Sequence, residues 1–380
     1  MDTLEIKKLF NKHKEISLSH RYITNKHIAS LIDNLDSSVT VETIGTSVLG
    51  KTIYGLKIGS GEKRILMWSQ MHGNESTTTK AIFDLLNSFK EETELSSILK
   101  VCTIYIIPIL NPDGAEAYTR INANEVDLNR DAQNLSQPES NCLKAVFTRF
   151  KPHYCYNLHG QRTIFGVGDS GKSATVSFLA PAQDQECTIT PNRKVAMEII
   201  SEMNTALQEI IPGQVGVYDD AFNLNCVGDT FQSENTPTIL FEAGHFNADY
   251  GREFTRELIY LSYVKSLLYI SNTDVSGAYY TDYLKIPENK KCFFDIIIRN
   301  AKFNNEFLDI AIQYQEVFIN EKIEFKPKIE KIEDLNDFYA HNEIDAKGQV
   351  VYSETNEVVK IGNENVFVIM NNEKTSLIPK

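Results

Sequence analysis

The sequence has no run of about 18 apolar residues, no C-x-x-C pair, no excess of basic residues, and no internal repeat or low-complexity tract. Without the apolar run there is no membrane-spanning helix. The first twenty residues, MDTLEIKKLFNKHKEISLSH, mix charge with apolar residues at helical spacing and hold no apolar h-region. They do not read as a secretory signal, so a cytoplasmic location is expected. The six cysteines, Cys102, Cys142, Cys155, Cys187, Cys226 and Cys292, are scattered. Free thiols are therefore expected rather than a disulfide framework, and none has metal-ligand spacing. A net charge of -13, from 38 basic and 51 acidic residues, argues against nucleic acid or an anionic membrane as partner. Both need basic patches that displace counterions.

What is present is an ordinary globular composition, 42% hydrophobic and 23% charged, over 380 residues, enough for one large domain and a smaller one. Residues 1 to 45 read as an amphipathic helical lead-in, with Ile28, Leu31 and Ile32 at helical spacing and an end near Asp36 and Ser37. From there to residue 272, short apolar runs alternate with longer helical patterns, which marks an α/β fold with a mixed, mainly parallel sheet flanked by helices. Strands are predicted at Arg64 to Ser69, Val101 to Leu110, Tyr154 to Leu158, Val176 to Ala180 and Thr238 to Phe241, and helices at Thr77 to Phe89 and Asn192 to Ile211. From residue 273 to 380 the texture changes to period-two runs such as KCFFDIIIRN and NVFVIMNN, and a small C-terminal β-domain is expected.

Chemistry concentrates at the strand ends. His72 and Glu75, in M-H-G-N-E-S, lie three apart at a strand-to-helix junction, so an imidazole and a carboxylate can reach one cation from a single turn of backbone. Zinc in hydrolases takes three protein ligands and keeps one position open. His159 emerges just past the run Tyr154 to Leu158, at the same rim of the sheet, and completes the set. One Zn2+ per chain is expected. Glu242 ends the run T-I-L-F-E, where an unpaired carboxylate is costly to bury unless it has a task.

H-G-N-E (72–75), N-P-D-G (111–114), D-L-N-R (127–130), L-H (158–159) and F-E (241–242), in that order, resemble the zinc carboxypeptidases related to carboxypeptidase A. The resemblance spans residues 45 to 270. It implies that His72, Glu75 and His159 bind zinc and that Asp127 accepts a hydrogen bond from a ligating imidazole. It also implies that Asn129 and Arg130 grip the terminal carboxylate of a peptide or peptide-like substrate. Arg120 matches the arginine that stabilises the oxyanion, and Glu242 the general base acting on metal-activated water. A mobile tyrosine is expected near the substrate; Tyr218 is the candidate and Tyr250 the alternative. His245, three residues past Glu242, is the main rival for ligand duty but is expected to stand behind the ligands instead of on the metal. Gly160 and Asn157 depart from the family pattern, where serine and an acid are common.

Two other functions share parts of this pattern. A deacylase of N-acyl amino acids has the H-G-N-E and D-L-N-R motifs, and a catalytically silent binding module could keep the fold. Gly166 to Ser173 also fits G-x-x-x-x-G-K-S, a phosphate-cradling loop, but A-T-V-S-F-L-A-P after it has strand texture where that loop needs a helix.

Overall fold

The computed structural model of the protein describes residues 1–91 and 94–379. Two helices lead, α1 (Thr3–His13) and α2 (Asn25–Asp33). Helix α1 starts on a capping box in which Asp2 and Glu5 accept from each other's backbone N–H, both at 2.8 Å. The helical pattern of the lead-in stops at Asp33, earlier than expected, and Thr40–Thr46 is a strand, β1. Thr40, Val41, Thr43 and Ile44 are β-branched and stiff at χ1, which favours the extended backbone over another helical turn.

The strands continue as β2 (Thr52–Gly59), β3 (Lys63–Ser69), β4 (Cys102–Ile107), β5 (Tyr154–Gly160), β6 (Phe165–Val167), β7 (Val176–Leu179), β8 (Val215–Val217) and β9 (Thr238–Ala243). All except β6 form one sheet in the order β1-β2-β4-β3-β5-β9-β7-β8. Its centre, β4-β3-β5-β9, is parallel, while β1, β2 and β7 pair antiparallel to their inner neighbours. The predicted strand from Val101 to Leu110 shortens at both ends. Val101 closes the helix before it, Glu94–Val101, and Pro108 has no N–H to donate.

The other helices are α3 (Thr77–Ser88), α4 (Glu94–Val101), α5 (Pro112–Ala117), α6 (Pro138–Phe150), α7 (Pro191–Gln208), α8 (Val227–Ser233) and α9 (Glu253–Asn272). Alternation along β3 supplies both faces of the sheet. Ile65 and Met67 pack with residues of α1 to α4, α7 and α9, whereas Leu66 and Trp68 pack with those of α6 and α8. Each fully buried Leu or Ile in these layers stabilises by about 1.5–3 kcal/mol.

Beyond α9 come β10 (Asn289–Lys291), β11 (Phe293–Phe303), β12 (Glu306–Ile319), β13 (Lys322–Glu333), β14 (Tyr339–Asp345), β15 (Phe367–Met370) and β16 (Glu373–Ser376). Four of them make a separate sheet in the order β13-β12-β11-β14, and β15 and β16 a hairpin. This C-terminal region is joined to the body: β10 pairs with β6, the Tyr250 hydroxyl donates to Asp295 at 2.9 Å, and His341 Nε2 donates to the Thr163 carbonyl at 2.8 Å. Gly166 to Ser173 turns back between β6 and β7, with Val167 N–H on the Lys172 carbonyl and Lys172 Nζ on the Pro212 carbonyl, so the segment leads into a strand and not a helix. All six cysteines are free thiols.

Candidate metal centre and active site

The parallel centre of the sheet sets the site, because β3, β5 and β9 are neighbours and end at one rim. Ser69 at the end of β3 pairs with Leu158, and His159 pairs with Glu242. Past Ser69 the chain turns at Gln70, whose φ of 45° is rare for a residue with a side chain. Buried hydrogen bonds from Gln70 Nε2 to the Ile23 and Gly73 carbonyls, at 3.0 and 2.7 Å, hold that turn. Gly73 then passes directly over the N-P-D-G turn, where an added Cβ would sit 1.9 Å from the Gly114 carbonyl carbon. Asn111 fixes the turn from below, accepting from Gly114 N–H at 2.8 Å and donating to the Met71 carbonyl at 3.2 Å. N-P-D-G is thus the seat of the H-G-N-E loop.

On this seat three donors converge. His72 Nδ1 lies 2.9 Å from Glu75 Oε1 and 3.0 Å from His159 Nδ1, and His159 Nδ1 lies 2.9 Å from Glu75 Oε2. Asp127 Oδ1 stands 3.0 Å from His72 Nε2 and accepts its N–H, which leaves Nδ1 as the His72 nitrogen that faces Glu75 and His159. Two imidazole nitrogens and a carboxylate oxygen lie within 4.8 Å of one another. N, N, O donors with room for a fourth ligand suit zinc. Both imidazoles are buried. Against burial, His72 and His159 hold the Glu75 carboxyl well below the usual range, and His72 and Arg120 do the same for Asp127.

The other expected residues gather around this point. Arg120 donates from Nε to Asp127 Oδ2 at 3.0 Å, and its Nη1 is 3.2 Å from His72 Nδ1 and 3.6 Å from Glu75 Oε1. Asn129 N–H donates to Asp127 Oδ1 at 2.9 Å, and its Oδ1 accepts from Val227 N–H at 3.0 Å. Arg130 is exposed and steadied by the Asn129 carbonyl at 2.7 Å. Glu242 has its Oε2 buried without a partner, and burial together with Glu75 pushes its carboxyl far above the usual range. Tyr218, just past β8, donates its hydroxyl to Gln161 Oε1 at 2.7 Å. All of these, with the three donors, line one cleft of about 850 Å³.

Two expectations fall elsewhere. Tyr250 does not line the cleft; its hydroxyl is taken by Asp295 and its ring packs on Tyr314 and Phe325. His245 is not in the donor cluster but lies between Tyr250 and His341, ring centroids 4.6 and 4.3 Å away. One residue along from a strand end the next side chain points to the opposite face, and three along the chain has left the rim. Of the departures from the family pattern, Gly160 N–H donates to Glu75 Oε2 at 3.0 Å, and Asn157 lines the cleft.

The sequence reading missed Arg21, Gln161, Asp229, Arg252 and Glu316, all of which line the cleft. Gln161, two residues past His159, had a positional signal in the alternation of β5. Arg21 and Glu316 form an ion pair at 2.6 Å across 295 residues of sequence, and no local pattern could have linked them.

The family model for zinc carboxypeptidases matches residues 24–225 of the chain. Carboxypeptidase 2 of Trichophyton tonsurans is 29% identical over 104 residues, 27% of this chain and 19% of that protein. Carboxypeptidase M of Mus musculus is 25% identical over 181 residues, 40% of this chain and 41% of that protein. The chain thus spans less than half the length of these curated relatives. Among solved structures, a metallo-carboxypeptidase from Burkholderia cenocepacia superposes with a TM-score of 0.54 at 16% identity, over 66% of this chain and 70% of that one, a likeness of fold.

Proposed function

The chain belongs to the zinc carboxypeptidase family, and from that premise we propose that it is a zinc-dependent carboxypeptidase that hydrolyses the C-terminal amide bond of peptides or peptide-like substrates. The observation that carries this reading is the meeting of His72, Glu75 and His159 with the unpartnered Glu242 carboxylate on adjoining strand ends. Residues 1–272 form the catalytic domain in this proposal, with 273–380 a small β-rich domain.

His72, Glu75 and His159 would hold one zinc ion, which when bound polarises a carbonyl and makes water a nucleophile near neutral pH. Asp127 keeps the His72 ring in the tautomer whose Nδ1 is free to ligate. Arg130, a planar and permanently charged fork, and the Asn129 amide receive the substrate's terminal carboxylate. That placement sets the last amide bond beside the donor cluster. Glu242, with a raised proton affinity and no competing partner, takes the proton of the attacking water and returns it to the departing amine. Arg120, anchored on Asp127 with Nη1 at the donor cluster, faces the oxygen on which negative charge grows. Tyr218 closes over the bound chain end.

The test is release of C-terminal amino acids from N-blocked dipeptides by the zinc-loaded full chain, with N-acyl amino acids as a comparison set. Glu242→Gln should lower kcat by about 10²–10⁴-fold while leaving bound zinc at one per chain. Full activity in that variant would end the assignment of the base, and turnover of N-acyl amino acids alone would favour a deacylase.

A further inference from the structure

One end of the cleft carries two largely buried guanidinium groups, and one of them has no ion-pair partner among the described residues. Arg21, between α1 and α2, and Arg252, immediately before α9, both line it, with side chains 12% and 1% exposed. Arg21 is ion-paired: Glu316 of β12 lies 2.6 Å from its Nη1 and accepts the Tyr118 hydroxyl at 2.6 Å, while Asp295, the next acid, is taken up by the Tyr250 hydroxyl and Tyr314 N–H at 2.9 and 2.7 Å. Arg252 has no ion-pair partner among the described residues. It donates to the Ala243 and Gln161 carbonyls at 3.1 and 3.0 Å and leaves Nε unpartnered. The nearby Asp249 is occupied in capping α9, accepting from Glu253 and Thr255 N–H at 2.8 and 2.9 Å.

A buried guanidinium with no ion pair among the described residues and an unpartnered Nε, beside a second that shares one carboxylate, is completed by an anion in the cleft, because a buried charge left unpaired is costly. The backbone of Arg252 lies in the left-handed region, with a φ of 59°. Burial and Arg21 also depress Arg252, to about 10.

The place of this pair along the cleft follows from its contacts. Gln161 and Ala243 come directly after the strand ends that carry His159 and Glu242, so Arg252 flanks the metal and base. Arg130 belongs to the turn that touches α8 through Asn129 and Val227. With the terminal carboxylate on Arg130, the acyl part of the substrate runs toward Arg21. We propose that Arg21, backed by Arg252 and oriented by Glu316, is a second anion subsite. It receives a carboxylate carried on the N-terminal side of the scissile bond, so that preferred substrates are acidic there. The direction along the substrate rests on the carboxypeptidase reading; the existence of the subsite does not.

The test is calorimetric binding of two non-hydrolysable ketomethylene analogues, of N-acetyl-Glu-Leu and N-acetyl-Gln-Leu, to the zinc-loaded full chain. The acidic analogue should bind about tenfold tighter, as a charge-assisted pair in a partly desolvated site does. Arg21→Gln should bring the two affinities to within about twofold. A variant that is merely damaged weakens both analogues alike and leaves their ratio in place. Equal affinities in the unmodified protein, or a ratio untouched by Arg21→Gln, would overturn the proposal. If the ratio holds but the parent dipeptides are not cleaved, the subsite stands and the carboxypeptidase reading fails.

Discussion

At the metal end of the cleft, the donors stand at or just past the ends of adjoining parallel strands and within two short motifs, whereas at the other end Arg21, Arg252 and Glu316 come from an inter-helix turn, the start of the last long helix and a strand of the C-terminal sheet. The first arrangement is coded locally. A parallel sheet delivers neighbouring strands to one rim, so a histidine or glutamate at each end is enough to bring ligands together. The second depends on the whole fold, since Arg21 meets Glu316 only when the tail has folded onto the body through β10 and β6. Damage at the two ends should therefore differ in kind: loss of metal and turnover at one, loss of selectivity with intact turnover at the other.

That contrast can be broken most severely with His159→Ala. It deletes one of the three donors that meet among the described residues, and the purified variant should hold no stoichiometric zinc by metal analysis and show no hydrolysis. Asp127→Asn keeps the donor set but disturbs the His72 tautomer, and zinc affinity measured against a competing chelator should fall about 10–100-fold. Gly73→Ala pushes a methyl group into the Gly114 backbone. Chemical unfolding should register a loss of about 1–3 kcal/mol, with weaker zinc retention from the displaced H-G-N-E loop. The mildest change is Asn289→Ala in β10, which removes donors to Gln161 Oε1 and Ser177 Oγ at 3.2 and 3.0 Å and loosens the rest on which Tyr218 leans. KM should rise by a few-fold, about 1 kcal/mol, with kcat and zinc content unchanged. A fall in zinc content from Asn289→Ala would blur the distinction between the two ends.

How much the sequence reveals divides along the same line. The α/β alternation, the central strands and the positions of His72, Glu75, His159 and Glu242 were legible because short, continuous apolar runs end where the chemistry begins. Strand β1 was not, because Thr40–Thr46 carries no buried stripe and lies at the sheet edge, where only its β-branched residues mark it. Strands β6, β8 and β10, of three residues each, are too short for any periodicity. Tyr218 was placed in the cleft by sequence reasoning, but not its tether to Gln161, since a side-chain hydrogen bond between segments 57 residues apart leaves no pattern. The cationic wall was invisible for that same reason.

The central claim is that two imidazoles and one carboxylate hold a single zinc ion beside Glu242. X-ray absorption spectroscopy of the zinc-loaded full chain tests it directly, since nitrogen and oxygen ligands at about 2.0–2.2 Å are distinguishable from sulfur at about 2.3 Å. One zinc per chain is expected, with two imidazole shells and no sulfur, and His159→Ala should retain no stoichiometric zinc. Sulfur ligation, a single imidazole, or zinc kept at one per chain in His159→Ala would contradict the account.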